Sequence, residues 1–261
     1  MIPTLPRVGA VSYFNTLPLV WGMLHGPQRE SVALSFSLPA KCADDVERRA
    51  VDIGLVPVAE IARQKLEVLP GVGISCRGPV RSILLVSRVP WRQVRTLAAD
   101  RGSRTSVELA QVILRERFGV EAETTPFEPN LDRMLAACDA ALIIGDAALH
   151  VSPSELRYDW LDLGEEWFTL TGLPMVFAAW AGRAGLPARV LEEITRGSYA
   201  FGASRIDEIV DAEHSARRIS RELAQRYLRL HIHFELGAEE TKGLEAFLEL
   251  AGGKGLTCDH A

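Results

Sequence analysis

Cysteine is scarce in this sequence. The 261 residues contain four cysteines, which lie far apart at Cys42, Cys76, Cys138 and Cys258. No two of them have the short paired spacing of a zinc or redox motif. Sparse cysteines of this kind predict reduced thiols, and they argue against a disulfide framework and a structural metal centre.

The sequence also lacks a run of positive charge. Its 29 lysines and arginines are outnumbered by 34 aspartates and glutamates, which gives a net charge of -5. The densest basic pairs, Arg48-Arg49 and Arg217-Arg218, lie in mixed-charge helical stretches. Because nucleic-acid binding needs a clustered basic surface, we expect no nucleic-acid partner.

Long apolar runs are absent as well. No stretch of about 18 apolar residues occurs, so no transmembrane helix is predicted. The segment from Met1 to Arg7 has no apolar stretch of signal-peptide length. We therefore expect a cytoplasmic protein that has no membrane partner. Hydrophobic residues still make up 48% of the chain, which is enough to bury the core of one large or two modest domains.

Several widespread nucleotide and hydrolase motifs are missing. The sequence has no Gly-x-Gly-x-x-Gly turn, no phosphate loop ending in Gly-Lys-Ser or Gly-Lys-Thr, and no Gly-x-Ser-x-Gly elbow. Nucleotide cofactors and serine hydrolysis therefore lose support. His231 and His233 have strand spacing, but no carboxylate or cysteine motif accompanies them, so we interpret them as surface or edge histidines. Tyr13, Trp167 and Phe177 could line a pocket, although core packing is the usual role of isolated aromatics.

The first ninety residues alternate between strand-like and helix-like segments, which predicts βαβ units and a mainly parallel sheet. The predicted strands are Val8–Val11, Val32–Leu38 and Ile53–Val56, and the predicted helices begin near Leu17, Ala43 and Val58. In open α/β sheets, ligands bind beyond the carboxyl ends of the strands. Ser12 and Pro57 stand at two such strand ends, so both are candidate ligand contacts.

The polar turn after the first strand is the main candidate ligand site. Ser12, Asn15 and Thr16 lie between this strand and a helix, where backbone N–H groups lack partners and an anion can bind. A purely structural interpretation is also open, since Asn15 or Thr16 would serve as an N-cap with Pro18 in the first helical turn.

A glycine-rich segment, residues 71–82, precedes another apolar strand at Ile83–Val86. Its glycines, Gly78 among them, allow a ligand to approach the backbone closely, and the strand would bring Ser82 to the same region. A plain turn between two strands explains this segment equally well.

Two further segments combine a helix start with polar groups. Thr105 and Glu108 form a capping box, and the free N–H groups of the following helix, together with Ser106, form a second potential anion cradle. The apolar strand 140–144 ends in Gly145 and Asp146. Asp146 is either a substrate contact or the cap of the next helix.

Charged residues elsewhere carry less information. After residue 188 the pattern is helical, and the side chains predicted to face solvent are Glu192, Arg196, Arg217 and Glu222. Arg77, Arg81 and Arg104 have two interpretations, a bidentate contact with a carboxylate or a solvated surface charge.

Taken together, these segments resemble the chorismate dehydratases of the futalosine route to menaquinone. The segments that carry the resemblance are Val11–Leu19, Asp52–Pro57, Gly78–Ser82, Ser103–Val107, Ile144–Ala148, Leu163–Trp167 and Thr171–Pro174, in the family's order. The resemblance implies an α/β, two-lobed type 2 periplasmic-binding-protein-like fold with the ligand cleft between the lobes. Residues 1–90 and 178–261 are then expected to form the first lobe, and residues 91–177 the second.

The resemblance also implies dehydration of chorismate to 3-[(1-carboxyvinyl)oxy]benzoate without a cofactor or metal. Asn15 and Ser82 are the expected catalytic residues. The expected substrate-binding residues are Ser12, Thr16, Pro57, Gly78, Thr105, Ser106, Gly145 and Asp146. Two alternatives stay open, a cytoplasmic small-anion binding or sensor protein and the dihydroxynaphthoate-forming enzyme of the same pathway.

Overall fold

Two mixed β-sheets, each covered by helices, form the two lobes of the protein. The structure is a computed structural model that describes residues 5–252. The strands are β1 Arg7–Val11, β2 Ala33–Ser37, β3 Ile53–Pro57, β4 Glu67–Cys76, β5 Ile83–Ser87, β6 Thr96–Asp100, β7 Glu123–Phe127, β8 Ala140–Ile144, β9 Asp159–Asp162, β10 Met175–Gly182 and β11 His233–Leu236. The helices are α1 Leu17–His25, α2 Pro39–Glu47, α3 Val58–Gln64, α4 Thr105–Ile113, α5 Leu131–Ala137, α6 Gly145–Leu149, α7 Leu163–Thr171, α8 Ala188–Ala203, α9 Ile206–Glu213, α10 Arg221–Arg226 and α11 Ala238–Leu250.

The sheet of the first lobe has the strand order β11-β4-β10-β3-β1-β2. Strand β1 pairs in parallel with β2 and β3, as the alternating strand and helix pattern predicts. Strand β10 runs antiparallel to β3 and β4, and β11 runs antiparallel to β4. The prediction of a mainly parallel sheet is therefore wrong, because the strands that leave and re-enter this lobe run against their neighbours.

The sheet of the second lobe has the order β7-β6-β8-β5-β9. Here β6 pairs in parallel with β7 and β8, whereas β5 is antiparallel to β8 and β9. Strand β5 therefore lies in the second sheet, although the predicted boundary at residue 90 assigns it to the first lobe. The lobe boundaries themselves stay a prediction.

Two crossovers join the lobes, residues 77–82 between β4 and β5 and helix α7 between β9 and β10. They lie against each other, since a Cβ added at Gly164 would be 2.6 Å from the Gly78 carbonyl oxygen. The carboxylate of Asp162 binds both, because it accepts hydrogen bonds from the Val80 and Arg81 N–H groups and from the first turn of α7. Gly78 itself has φ +116°, which only glycine adopts readily.

The predicted strands and helices of the first ninety residues are confirmed within a few residues at their ends. The glycine-rich segment has two parts. Gly71 and Gly73 lie inside β4, whereas residues 77–82 connect β4 to β5 and bring Ser82 to the cleft. A Cβ at Gly73 would be 2.5 Å from the Ala178 carbonyl oxygen of β10, where the register between the two strands shifts. This glycine therefore serves close strand packing rather than a ligand.

Large aromatic side chains fill the core of the first lobe and the crossover region. Trp167, Trp180, Tyr227 and Phe247 are almost completely buried. Trp167 donates its indole N–H to the Pro174 carbonyl, so it is a core residue of α7 and not part of a pocket. In residues 5–252 no helix is long and apolar enough to cross a membrane.

Candidate active site

A cleft lies between the two sheets, with about 570 Å³ of empty space that includes open solvent at its mouth. The residues that line it are Val11, Tyr13, Asn15, Thr16, Pro39, Leu55, Pro57, Ile74, Val80, Ser82, Ile83, Ser103, Thr105, Ser106, Ile144, Gly145, Phe177 and Ala178. Its walls are mostly aliphatic, and the polar contributions come from one amide and several hydroxyl groups. None of these lining side chains carries a formal charge at neutral pH.

Most of the predicted site residues meet at this cleft. Those that line it are Asn15, Thr16, Pro57, Ser82, Thr105, Ser106 and Gly145. They come from five segments of both lobes, and the carboxyl ends of β1, β3 and β8 provide three of these segments. The cleft therefore lies beyond the strand ends, where open α/β sheets usually bind ligands.

Three predicted substrate-binding residues lie outside the lining. The Ser12 hydroxyl is exposed and donates to the Ser37 carbonyl, which ties the end of β1 to β2. Gly78 forms the turn at the crossover. Asp146 is neither a lining residue nor the cap of α6, because its carboxylate is bound by groups of the first lobe.

The Ser82 hydroxyl has a buried partner that the sequence did not suggest. Tyr227, which lies in a π-helical segment, Tyr227–His231, donates its phenolic O–H to Ser82 Oγ at 2.8 Å. The main-chain oxygen of Ser82 accepts a hydrogen bond from the Gly145 N–H. Ser82 is thus fixed from both lobes.

The start of α4 contributes hydroxyl groups to the opposite side of the cleft. Ser103 Oγ accepts a hydrogen bond from the Ser106 N–H at 3.1 Å, so Ser103 satisfies one of the free N–H groups at the start of α4. The predicted capping box is wrong, because the helix begins at Thr105 and the Thr105 hydroxyl instead accepts from the Ala59 N–H of the first lobe. Glu108 does not reach back, and burial raises its pKa.

Thr16 and Tyr13 complete the polar surroundings. The Thr16 hydroxyl is fully buried and has no hydrogen-bond partner in the described part of the chain. A Cβ at Gly145, where φ is +60°, would lie 2.7 Å from the Tyr13 ring, so glycine makes room for this aromatic wall. Burial, and then the neighbouring Asp100 carboxylate, raise the pKa of Tyr13 far above its usual value, which keeps its phenol protonated.

A clasp beside the cleft joins the lobes. Asp146 of the second lobe accepts the Phe14 N–H at 2.9 Å and pairs with Arg217 at 2.5 Å. Arg217 also donates to the Ser12 carbonyl. Its side chain is 20% exposed, so the prediction that Arg217 is a solvated charge is wrong. We refer to Asp146, Phe14 and Arg217 as the Asp146 clasp.

The other candidate arginines also have partners within the chain. Arg104 pairs with Glu60 and Asp44 of the first lobe, at 2.7 and 3.1 Å, and forms a second link between the lobes. Arg77 pairs with Glu240, and Arg81 donates to main-chain carbonyls at the end of α6. None of the three lines the cleft.

No group of side chains within residues 5–252 is arranged to hold a metal ion. His231 bonds to the Pro79 carbonyl, and His233 faces Glu240 at 3.6 Å. The thiols of Cys42, Cys76 and Cys138 are buried and unpaired. Cys258 lies outside the described residues.

A family model described as menaquinone biosynthesis matches residues 6–252. The chain belongs to this family. A relative from Thermus thermophilus, named chorismate dehydratase, is 29% identical over 94% of this chain and 94% of its own length. Another protein of that name, from Campylobacter jejuni, is 28% identical over 65% of this chain and 64% of its own length.

Solved structures of other proteins share the fold of this member of the menaquinone biosynthesis family. A protein from Archaeoglobus fulgidus superimposes with a TM-score of 0.77 at 18% identity, covering 97% of this chain and 98% of its own. The periplasmic aliphatic sulphonate binding protein of Escherichia coli gives 0.63 at 13% identity, covering 95% of this chain and 86% of its own. The expected two-lobed type 2 periplasmic-binding-protein-like fold, with the cleft between the lobes, is confirmed.

Proposed function

We propose that the chain is a chorismate dehydratase that converts chorismate into 3-[(1-carboxyvinyl)oxy]benzoate and water. The observation that carries the proposal is the name shared by both curated relatives, one of which aligns over 94% of the chain. The grouping of Asn15, Ser82, Thr105 and Ser106 around one cleft supports it independently. The sulphonate-binding relative supports the fold alone.

The reaction does not require a covalent bond between the protein and the substrate. The proton at ring carbon C3 of chorismate is activated through the diene by the ring carboxylate. Its removal leaves a dienolate, and the C4 hydroxyl then departs as water with one proton while the C3–C4 double bond forms. Aromatisation drives the elimination, so the site must orient a dianion, exclude water and stabilise charge that moves onto the carboxylate.

The cleft offers neutral donors for these tasks. Asn15 and Ser82 hydrogen-bond the reacting part of the substrate, and the hydroxyls of Thr105 and Ser106, with the Thr105 N–H at the start of α4, hold a carboxylate. The buried Thr16 hydroxyl has a free hydrogen-bonding capacity that a substrate oxygen would use. Since none of the lining groups is a strong base, the enolpyruvyl carboxylate of the substrate itself takes the C3 proton.

Buried, unpaired thiols are consistent with a reducing compartment, and we propose a cytoplasmic location for the enzyme.

The direct test is incubation of the purified chain with chorismate, without added metal or nucleotide. We expect the mass of one water to be lost and the ultraviolet spectrum of an aromatic ether to develop. The Ser82→Ala variant, prepared in parallel, controls for spontaneous decay. Calorimetric binding of chorismate without turnover would instead favour a binding or sensor protein, and neither binding nor turnover would overturn both functions.

The Asp146 clasp leads to a further prediction about closure of the cleft. Arg217→Ala removes the ion pair with Asp146 and the hydrogen bond to Ser12, and each hydrogen bond from a charged group contributes about 1.5–3 kcal/mol. The closed form becomes less populated, and apparent affinity falls with that population. We expect KM for chorismate to rise by about tenfold, with a smaller change in kcat.

Steady-state kinetics of Arg217→Ala beside Arg218→Ala check this prediction. Arg218 is the exposed neighbour of Arg217, so its loss removes the same charge without touching the clasp. Equal values of KM for the two variants would contradict the role of the clasp.

A further inference from the structure

Tyr227 is a fully buried polar residue that the proposed chemistry leaves unused. Its side chain is 1% exposed and does not line the cleft. It lies in a π-helical segment after α10, more than 80 residues along the chain from every cleft-lining residue outside β10. Such segments are rare and occur frequently at functional sites.

The direction of the Tyr227–Ser82 hydrogen bond determines what Ser82 can do. The phenol donates, so Ser82 Oγ acts as the acceptor of this bond. A hydroxyl has one proton to donate, and within residues 5–252 Ser82 Oγ has no second hydrogen-bond partner. Its proton is therefore available to a ligand in the cleft that Ser82 lines.

Burial also fixes the protonation state of this phenol. It raises the pKa of Tyr227 well above its usual value. Because burial keeps the phenol protonated, the donor toward Ser82 is present throughout the neutral pH range.

We infer that Tyr227 is a positioning residue that directs the Ser82 hydroxyl proton into the cleft. The inference rests on the proposed function, since it assigns Tyr227 a part in the same reaction. Tyr227 belongs to the first lobe, next to Phe14, with which its ring stacks at 6.3 Å. Closure of the lobes and orientation of Ser82 are thereby coupled.

The test is a double-mutant cycle with Tyr227→Phe and Ser82→Ala. The single variant Tyr227→Phe loses one neutral hydrogen bond, so we expect kcat to fall about tenfold while KM stays within about twofold. In the Ser82→Ala background the same change is expected to alter kcat by less than about twofold, because the group on which Tyr227 acts is already gone. Tyr199→Phe is the matched control, since this half-buried tyrosine packs on Phe234 outside the cleft.

Each outcome has a definite consequence. Multiplicative losses in the double variant, or an unchanged kcat in Tyr227→Phe with an active wild type, would overturn the inference alone. A fall in kcat that is matched by Tyr199→Phe would also overturn it, because that result indicates general loosening of the fold. A wild-type chain that does not convert chorismate would overturn the proposed function and this inference together.

Discussion

Replacing Asn15 by alanine is expected to lower kcat for chorismate by about 10²–10³-fold. Asn15 is 9% exposed and lines the same cleft as Ser82. Its amide is the one carboxamide among the lining groups, so no neighbouring side chain can replace its N–H donors. Loss of one oriented donor from a site of this kind costs about 2.7–4 kcal/mol in the barrier.

The effect should lie in the chemical step more than in binding. Charge develops on the ring carboxylate only after the C3 proton begins to leave, and donors that follow this charge act on the transition state. We therefore expect kcat and kcat/KM to fall together in Asn15→Ala. Steady-state kinetics with detection of the aromatic product measure both.

Two matched variants make this result specific. Asn15→Asp keeps the size of the side chain but replaces the N–H donors by a negative charge, so it should be at least as inactive toward a dianion as alanine. Asn130→Ala removes an asparagine that caps α5 in the second lobe, and it should lower stability by about 1 kcal/mol without changing kcat. Retention of more than about a third of the activity by Asn15→Ala would contradict its catalytic role.

Local sequence patterns predicted the residues at the strand ends well. Strand β1 and helix α1 follow from an apolar run, a polar turn and a proline in the first helical turn, all within a dozen residues. Because the carboxyl ends of parallel strands lie at one edge of a sheet, Asn15 and Pro57 had to approach each other. The glycine-rich segment before β5 also predicted that Ser82 would reach this region, and Ser82 lines the cleft.

Local sequence patterns could not predict the contacts between the lobes. Asp146 and Thr105 have the sequence setting of helix caps, but their actual partners, Phe14 and Ala59, are supplied by the other lobe. The sequence spacing of Arg217 is that of a solvated charge on a helix, but in the fold its side chain pairs with Asp146. Their pairing depends on how the two sheets meet, and no short-range periodicity carries that information.

Of the substitutions described for this chain, loss of the Asp162 carboxylate at the crossovers should destabilise the fold most. It is 5% exposed and accepts four backbone N–H groups, from Val80, Arg81, Gly164 and Glu165, at 2.6–3.2 Å. Burial raises its pKa, and the four N–H groups oppose that rise because they stabilise the ionised form. The residue caps α7 and fixes the segment that leads to Ser82.

Asp162→Ala is expected to lower the free energy of unfolding by about 3–5 kcal/mol. The buried amides of the 77–82 crossover would lose their acceptor at about 1–3 kcal/mol each, and α7 would lose its N-cap at about 1 kcal/mol. Urea denaturation followed by circular dichroism measures the change. Asp162→Asn keeps one acceptor oxygen and nearly the same volume, so it should cost about half as much.

Asp139→Ala is the control for this prediction. Asp139 also accepts backbone N–H groups, from Arg95 and Thr96, but its side chain is 22% exposed and all its partners belong to the second lobe. Water can replace part of what is lost there, so we expect a cost of about 1 kcal/mol and unchanged activity. Asp162→Ala should in addition lose turnover at temperatures where it is still folded, because the crossover that carries Ser82 is no longer held against α7. Equal stability losses in the two variants, or full activity in folded Asp162→Ala, would contradict the view that this carboxylate holds the crossovers together and positions Ser82.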